Sequence, residues 1–153
     1  MKKIQLGDSL PNINVLLSNN ETVNLQNYKG QTLILYFYPK DLTPGCTQES
    51  KEFRDAIDLI TNKGAIVLGI SRDSVSSHLK FIEKHDLPFD LISDPYEKLC
   101  ILFDVIKEKN MYGKKYMGIE RSTFVFNKQG CLTKEWRKVK VNGHVDEVTQ
   151  AID

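Results

Sequence analysis

Residues 36–50 read Tyr36-Phe-Tyr-Pro-Lys-Asp-Leu-Thr-Pro-Gly-Cys-Thr-Gln-Glu-Ser50, and the reading of this stretch decides the fold. The apolar run Leu33 to Tyr38 enters it and Pro39 stops that run. A 3.6-residue pattern leaves it, with Phe53, Ala56, Ile57 and Ile60 on one face. The stretch is therefore a strand, a tight loop and a helix. Thr43 is a good N-cap residue and Pro44 suits the first helical position, which makes Cys46 the third helical residue. The first amides of a helix have no partner inside it, and together with the helix dipole they favour an anion. A thiol can become that anion, and Gly45 beside it has no side chain to block access.

Acidity sets what else is needed. A free thiol with a pKa of about 8.5 is only a few per cent thiolate at neutral pH. Lowering that value by roughly 2 units takes about 2.7 kcal/mol. A helix end typically contributes about 0.3–1 kcal/mol, so a cation must come from elsewhere in the chain.

Outward from this stretch, the residues on either side predict alternating strands and helices. Asn12 to Leu16 and Glu21 to Leu25 read as an N-terminal β-hairpin turning at Ser18-Asn19-Asn20. Leu33 to Phe37 is apolar on both sides, as for a central strand covered on both faces. The helix after Cys46 runs to Lys63-Gly64. Ala65 to Ile70 is a second buried strand. Asp73 or Ser74 caps a helix to about Lys84, with Leu79, Ile82 and Phe81 facing inward. Phe89 to Ile92 is a short strand, and Ser93-Asp94-Pro95 opens a helix from Tyr96 to about Asp104. Residues 107–118 show no period and read as a surface loop. Ser122 to Asn127 and Cys131 to Lys138 form a late hairpin around Lys128-Gln129-Gly130, and Val145 to Ile152 is a terminal helix. This order predicts an α/β layer fold with a mixed sheet, in a single domain over residues 1–153.

Composition bounds the function. The chain has 153 residues, 41% hydrophobic and 27% charged, which suits one packed core and excludes a disordered chain. A net charge of +1, from 21 basic and 20 acidic residues, gives no field to attract nucleic acid or a membrane. The N-terminus is too polar for a signal peptide, so the default address is the cytoplasm. Three cysteines, Cys46, Cys100 and Cys131, are widely spaced with no CxxC, which fits neither a disulfide framework nor a zinc site. His78, His85 and His144 do not make a metal set, and no cofactor motif is present.

Pro39, Thr43 and Cys46 form the pattern P-x-x-x-T-x-x-C, which resembles the peroxiredoxin active-site loop. The wider string Phe37-Tyr38-Pro39-Lys40, Thr43-Pro44-Gly45-Cys46-Thr47 and Glu49 is similar to the bacterioferritin comigratory protein branch, also called peroxiredoxin Q. The likeness continues through Val67 to Ser71, Leu91 to Asp94, Gly113-Lys114, Gly118-Ile119, Arg121 and Phe124. It implies a thioredoxin-like, three-layer fold and an antioxidant thiol-dependent peroxidase that reduces hydrogen peroxide and organic hydroperoxides. Cys46 matches the peroxidatic cysteine, which passes through a sulfenic acid. Thr43 matches the residue whose hydroxyl meets the peroxide, Pro39 the one that shields the cysteine, and Arg121 the family arginine that supplies the cation. Glu49, one turn beyond Cys46, could orient Arg121.

Many members of this branch carry a second cysteine five residues after the first, where this chain has Lys51. Cys100 is then the candidate resolving cysteine, with Cys131 behind it. The favoured cycle uses one cysteine and an external thiol from thioredoxin, glutaredoxin or glutathione, in a monomer. The alternative is a thiol–disulfide oxidoreductase without peroxidase activity, although such enzymes usually carry CxxC and Thr43 stands at the first of those positions.

Overall fold

The computed structural model describes residues 2–152. A seven-stranded mixed sheet runs in the order β2-β1-β5-β4-β3-β8-β9. The parallel centre is β3 (Thr32–Phe37), β4 (Ala65–Ser71) and β5 (Leu91–Ser93). The hairpin β1 (Asn14–Leu17) and β2 (Thr22–Asn24) adds antiparallel to β5. The hairpin β8 (Ser122–Phe126) and β9 (Leu132–Trp136) adds antiparallel to β3. Side chains alternate across a strand, so β3, buried along its whole length, feeds two core layers. Leu33, Leu35 and Phe37 pack with α4 (Lys98–Leu102) and the N-terminal segment. Ile34, Tyr36 and Tyr38 pack under α1 (Pro44–Asp55), α2 (Ile57–Asn62), α3 (Val75–His85) and α5 (His144–Ala151). The expected three-layer arrangement with a mixed sheet and an N-terminal hairpin is present.

Tyr36 sets where α1 lies. Its ring stacks on Phe53 with centroids 4.6 Å apart, and its hydroxyl shares a 2.8 Å hydrogen bond with Ser50 Oγ, both on α1. Gly69, beside Tyr36 in the β3–β4 register, makes this fit. A Cβ at Gly69 would stand 2.7 Å from Tyr36 Cζ and 2.8 Å from Leu91 Cδ2. One glycine in β4 thus leaves room for the ring that seats the Cys46 helix.

Four expectations are corrected. Residues 107–118 are not a loop but most of a separate hairpin, β6 (Ile106–Met111) and β7 (Lys114–Ile119). Its two-residue turn places Tyr112 at φ +53° and Gly113 at φ +81°, the primed geometry that matches strand twist. The hairpin is polar or exposed on both faces along most of its length, so it has no burial period to read. The helix expected over Tyr96 to Asp104 is only Lys98–Leu102. Asp94 caps it from outside, accepting from the amides of Leu99 and Cys100 at 3.2 and 2.9 Å, and Glu97 at φ +63° delays its start. The helix after Cys46 breaks at Ala56 into α1 and α2, and no residue type at 55–57 marks the break. On α3, Leu79 is 49% exposed while His78 takes the core position. That exchange is stable because both His78 ring nitrogens find oxygen partners.

Candidate active site

β3 delivers the chain to Tyr38, the loop of residues 39–43 follows, and α1 begins at Pro44, so Cys46 is its third residue as expected. Thr43 occupies the N-cap with extended backbone, but its hydroxyl makes no cap bond. It donates instead to Lys40 O at 2.8 Å. The first helical bond runs from the Thr47 amide to Thr43 O, so the amides of Gly45 and Cys46 precede the helix's own bonding. The Thr43 oxygen, having donated its proton, keeps its lone pairs free to accept. Pro39 is half-buried at the end of β3.

Cys46 is 1% exposed. Arg121, in the short connection between β7 and β8, reaches it from the far side of the chain: Nη2 donates to Cys46 Sγ at 3.4 Å. Nη1 of the same guanidinium donates to Glu49 Oε1 at 2.6 Å. Glu49, one helical turn beyond Cys46, is fully buried, and its Oε2 has no hydrogen-bond partner among the described residues. Burial raises the Glu49 carboxyl to about 7, with Arg121 pulling it back only in part. Burial works against the Arg121 charge, but Glu49 and Cys46 outweigh it and keep the guanidinium charged. Gly45 gives the room, since a Cβ there would stand 3.2 Å from Arg121 Nη2. Cys46, Glu49 and Arg121 are thus brought together, with Thr43 opening the same helix.

The other cysteines are elsewhere. Cys100 is buried in the opposite core layer, its thiol pushed well up by burial and by Asp94. Cys131 is half-buried, its Sγ donating to Gly7 O at 3.3 Å. It sits beyond the Leu33–Phe126 end of the β3–β8 ladder, whereas Cys46 follows the Phe37–Ser122 end.

A second group beside the loop is absent from the sequence reading. Asp41 accepts from Tyr38 Oη at 2.6 Å and from Ser77 Oγ at 2.8 Å, and lies 2.7 Å from His78 Nδ1. His78 Nε2 faces Ile92 O at 2.9 Å, an oxygen that only accepts, so this nitrogen carries a proton. The Asp41 amide donates to Asp73 Oδ2, which also accepts from Ser71 Oγ. Asp41, Asp73 and His78 therefore form the acid–histidine cluster that counting histidines alone had missed. Its ligand atoms are spent on one another and on neighbouring hydroxyls, and it ties the Cys46 loop to α3 and β5. Leu42, next to Asp41 in the chain, sits at φ +65°, a conformation bulky residues rarely adopt. An aspartate between Pro39 and Thr43, and a histidine on an apolar helix face, were the signals available.

The family model described as AhpC/TSA family matches residues 6–135. The chain belongs to the AhpC/TSA family, in its Bcp peroxiredoxin branch. It is 50% identical over 149 residues to peroxiredoxin Bcp of Bacillus subtilis, covering 97% of this chain and 95% of that one. It is 51% identical over 136 residues to peroxiredoxin Bcp of Xanthomonas campestris, covering 89% and 85%. Among solved structures it is similar to a mutant of Xylella fastidiosa PrxQ, with TM-score 0.91, 44% identity and 98% and 96% of the two chains covered. It is also similar to the X. campestris bacterioferritin comigratory protein, studied as trapped intermediate and ligand complexes for alkyl peroxide reduction, with TM-score 0.88, 47% identity and 94% and 96% covered. As a peroxiredoxin the chain is an enzyme, a thiol-dependent peroxidase of thioredoxin-like fold, and the oxidoreductase alternative is set aside. No helix of the described residues is long and apolar enough to cross a membrane.

Proposed function

We propose that this peroxiredoxin reduces hydrogen peroxide and organic hydroperoxides at Cys46, as one domain over residues 1–153, monomeric and cytoplasmic. The reading rests above all on one guanidinium that meets both Cys46 Sγ and Glu49 Oε1. Alkyl peroxide reduction by the X. campestris relative supports the organic substrate class.

In this reading the Cys46 thiolate attacks one peroxide oxygen. The O–O bond breaks, an S–O bond forms, and the leaving hydroxide or alkoxide takes a proton to depart as water or alcohol. Arg121 stabilises the thiolate before the attack and the oxyanion during it, which is where fixed donors matter most. Glu49 is a positioning residue that holds the guanidinium. The Thr43 oxygen accepts the peroxide O–H, and Pro39 keeps water from the sulfur. The sulfenic acid is then reduced by an external thiol, from thioredoxin, glutaredoxin or glutathione. Burial of Cys100 and Cys131's position at the other end of the sheet favour this one-cysteine cycle.

Rapid-mixing measurement of peroxide consumption tests the proposal. Cys46→Ser is expected to abolish consumption, while Cys100→Ser and Cys131→Ser retain it when an external thiol is supplied. Wild-type protein reacting no faster than free cysteine would overturn it.

A further inference from the structure

The β6–β7 hairpin stands apart from the main sheet, and one of its faces carries an unusual set of groups. Register pairs Lys107 with Gly118, Lys109 with Tyr116 and Met111 with Lys114, and directly paired residues share a face. That face has three lysines and no acid; Glu108, the hairpin's one carboxylate, is on the other side, paired with Lys115. Lys107 is paired with Asp104 at 3.3 Å. Lys109 is half-buried and, among the described residues, has no carboxylate within ion-pair distance and no hydrogen-bond acceptor.

Gly118 explains where Lys109 goes. A Cβ at Gly118 would stand 3.1 Å from Tyr116 Cε2 and 3.3 Å from Lys109 Cδ. The lysine stem and the tyrosine ring therefore fold across this glycine, at the buried base of the hairpin, three residues before Arg121. Among the charges acting on the ammonium are Arg121 and Cys46 of the catalytic site, with Glu120 and Arg72 beside them. Burial pushes Lys109 down from its ordinary value and Arg121 adds to that, while Cys46 and Glu120 pull it back and Arg72, itself paired with Glu97, opposes them.

Peroxide reduction changes the charge this lysine sees. In the proposed reaction the attacking form of Cys46 is a thiolate, and its substrate is neutral. When the leaving oxygen departs, the negative charge leaves with it, and Lys109 and Arg121 face a neutral sulfenic acid. The site is then one unit more positive, whatever the state of Glu49. The next reactant is a thiolate.

We propose that Lys109 selects for an anionic low-molecular-weight thiol, one carrying a carboxylate or sulfonate, in the step that reduces the Cys46 sulfenic acid. The inference rests on the sulfenic acid forming at Cys46. The incoming thiolate attacks Cys46 Sγ, an S–S bond forms, the S–O bond breaks, and the departing hydroxide takes a proton from solvent to become water. A second thiolate attacks the incoming sulfur, releasing the small disulfide and returning Cys46 as thiolate. Tyr116 and Met111, beside the lysine, offer apolar contact to the body of such a thiol.

The test uses the intact protein. One equivalent of hydrogen peroxide forms the sulfenic acid, which is mixed with mercaptoethanesulfonate, 2-mercaptoethanol or cysteamine, each rate being normalised to thiolate concentration. The wild type is expected to favour the anionic over the cationic thiol by about tenfold, at the low end of what a charged cleft does for on-rates. The preference should shrink as salt is raised. Lys109→Gln should bring the ratio near one and Lys109→Arg should restore it, a pattern that general loss of structure would not give, since the neutral thiol reports that separately. An unchanged ratio in Lys109→Gln would overturn the inference while leaving Cys46 chemistry intact. Absence of peroxide consumption before any thiol is added would remove both.

Discussion

Cys46 and Cys100 are buried on opposite faces of β3, Cys46 with Tyr36 and Tyr38 and Cys100 with Leu35 and Phe37. A disulfide needs Cα atoms within about 7 Å, so joining them would require one helix to leave the core. With one equivalent of peroxide, the intact protein is expected to gain one oxygen by mass. Loss of two hydrogens without added oxygen, absent in Cys100→Ser, would show that the helix does leave.

The Arg121 fork makes two simultaneous contacts that a lysine cannot. Arg121→Lys is therefore expected to slow peroxide consumption by roughly 10²-fold, the usual effect of losing one oriented donor to a developing oxyanion. Glu49→Gln keeps an acceptor for Nη1 and should cost clearly less than Glu49→Leu. Second-order rate constants with hydrogen peroxide check the order, and equal losses in the two Glu49 variants would remove its positioning role.

Two buried groups set opposite limits to stability. Burial raises Glu49 from 4.5 to about 7, so the folded state holds its proton more tightly; this contribution is full below pH 4.5 and is lost as pH rises through about 7. Burial lowers His144, whose Nε2 lies 2.8 Å from Thr123 Oγ1, from 6.5 to about 4. The unfolded state binds that proton first, so this contribution is full above pH 6.5 and is lost as pH falls through about 4. Thermal unfolding should give the highest midpoint between those limits. Glu49→Gln should flatten the upper limb and leave the acid limb in place.

His78 and Asp41 form a buried pair, 0% and 1% exposed at their side chains. Removing one partner leaves the other without compensation, so His78→Ala is expected to cost about 3–5 kcal/mol in chemical denaturation. It should also slow the reaction at Cys46, because the pair anchors the loop before Thr43. A stable His78→Ala protein with unchanged activity would show that the loop holds its shape alone.

The strands were readable because Leu33 to Phe37 and Ala65 to Ile70 are unbroken apolar runs, and runs of that length are buried wherever they go. The β6–β7 hairpin was not, because most of it buries neither face and its turn uses Tyr112-Gly113 where Asn-Gly would have announced it. The start of α1, and Cys46 as its third residue, followed from Thr43-Pro44-Gly45 alone, since Pro and cap preferences are local. The Thr43 hydroxyl bond to Lys40 was not readable, because several acceptors compete for a loop hydroxyl and only the folded loop decides among them.

What the residues by themselves determined is an α/β layer fold with a mixed sheet, a candidate nucleophile at a helix start and its need for a cation; those rest on local periodicity and on the acidity of a thiol. The resemblance pointed to Arg121 as that cation and to Glu49 as its holder, and only the tertiary fold brings both to Cys46. Arg121 lies 75 residues from Cys46, Asp41 meets His78 across 37, and the Lys109 stem folds across Gly118 on the partner strand. No spacing rule links residues that far apart, because their meeting depends on sheet register and helix placement, which the whole core sets at once.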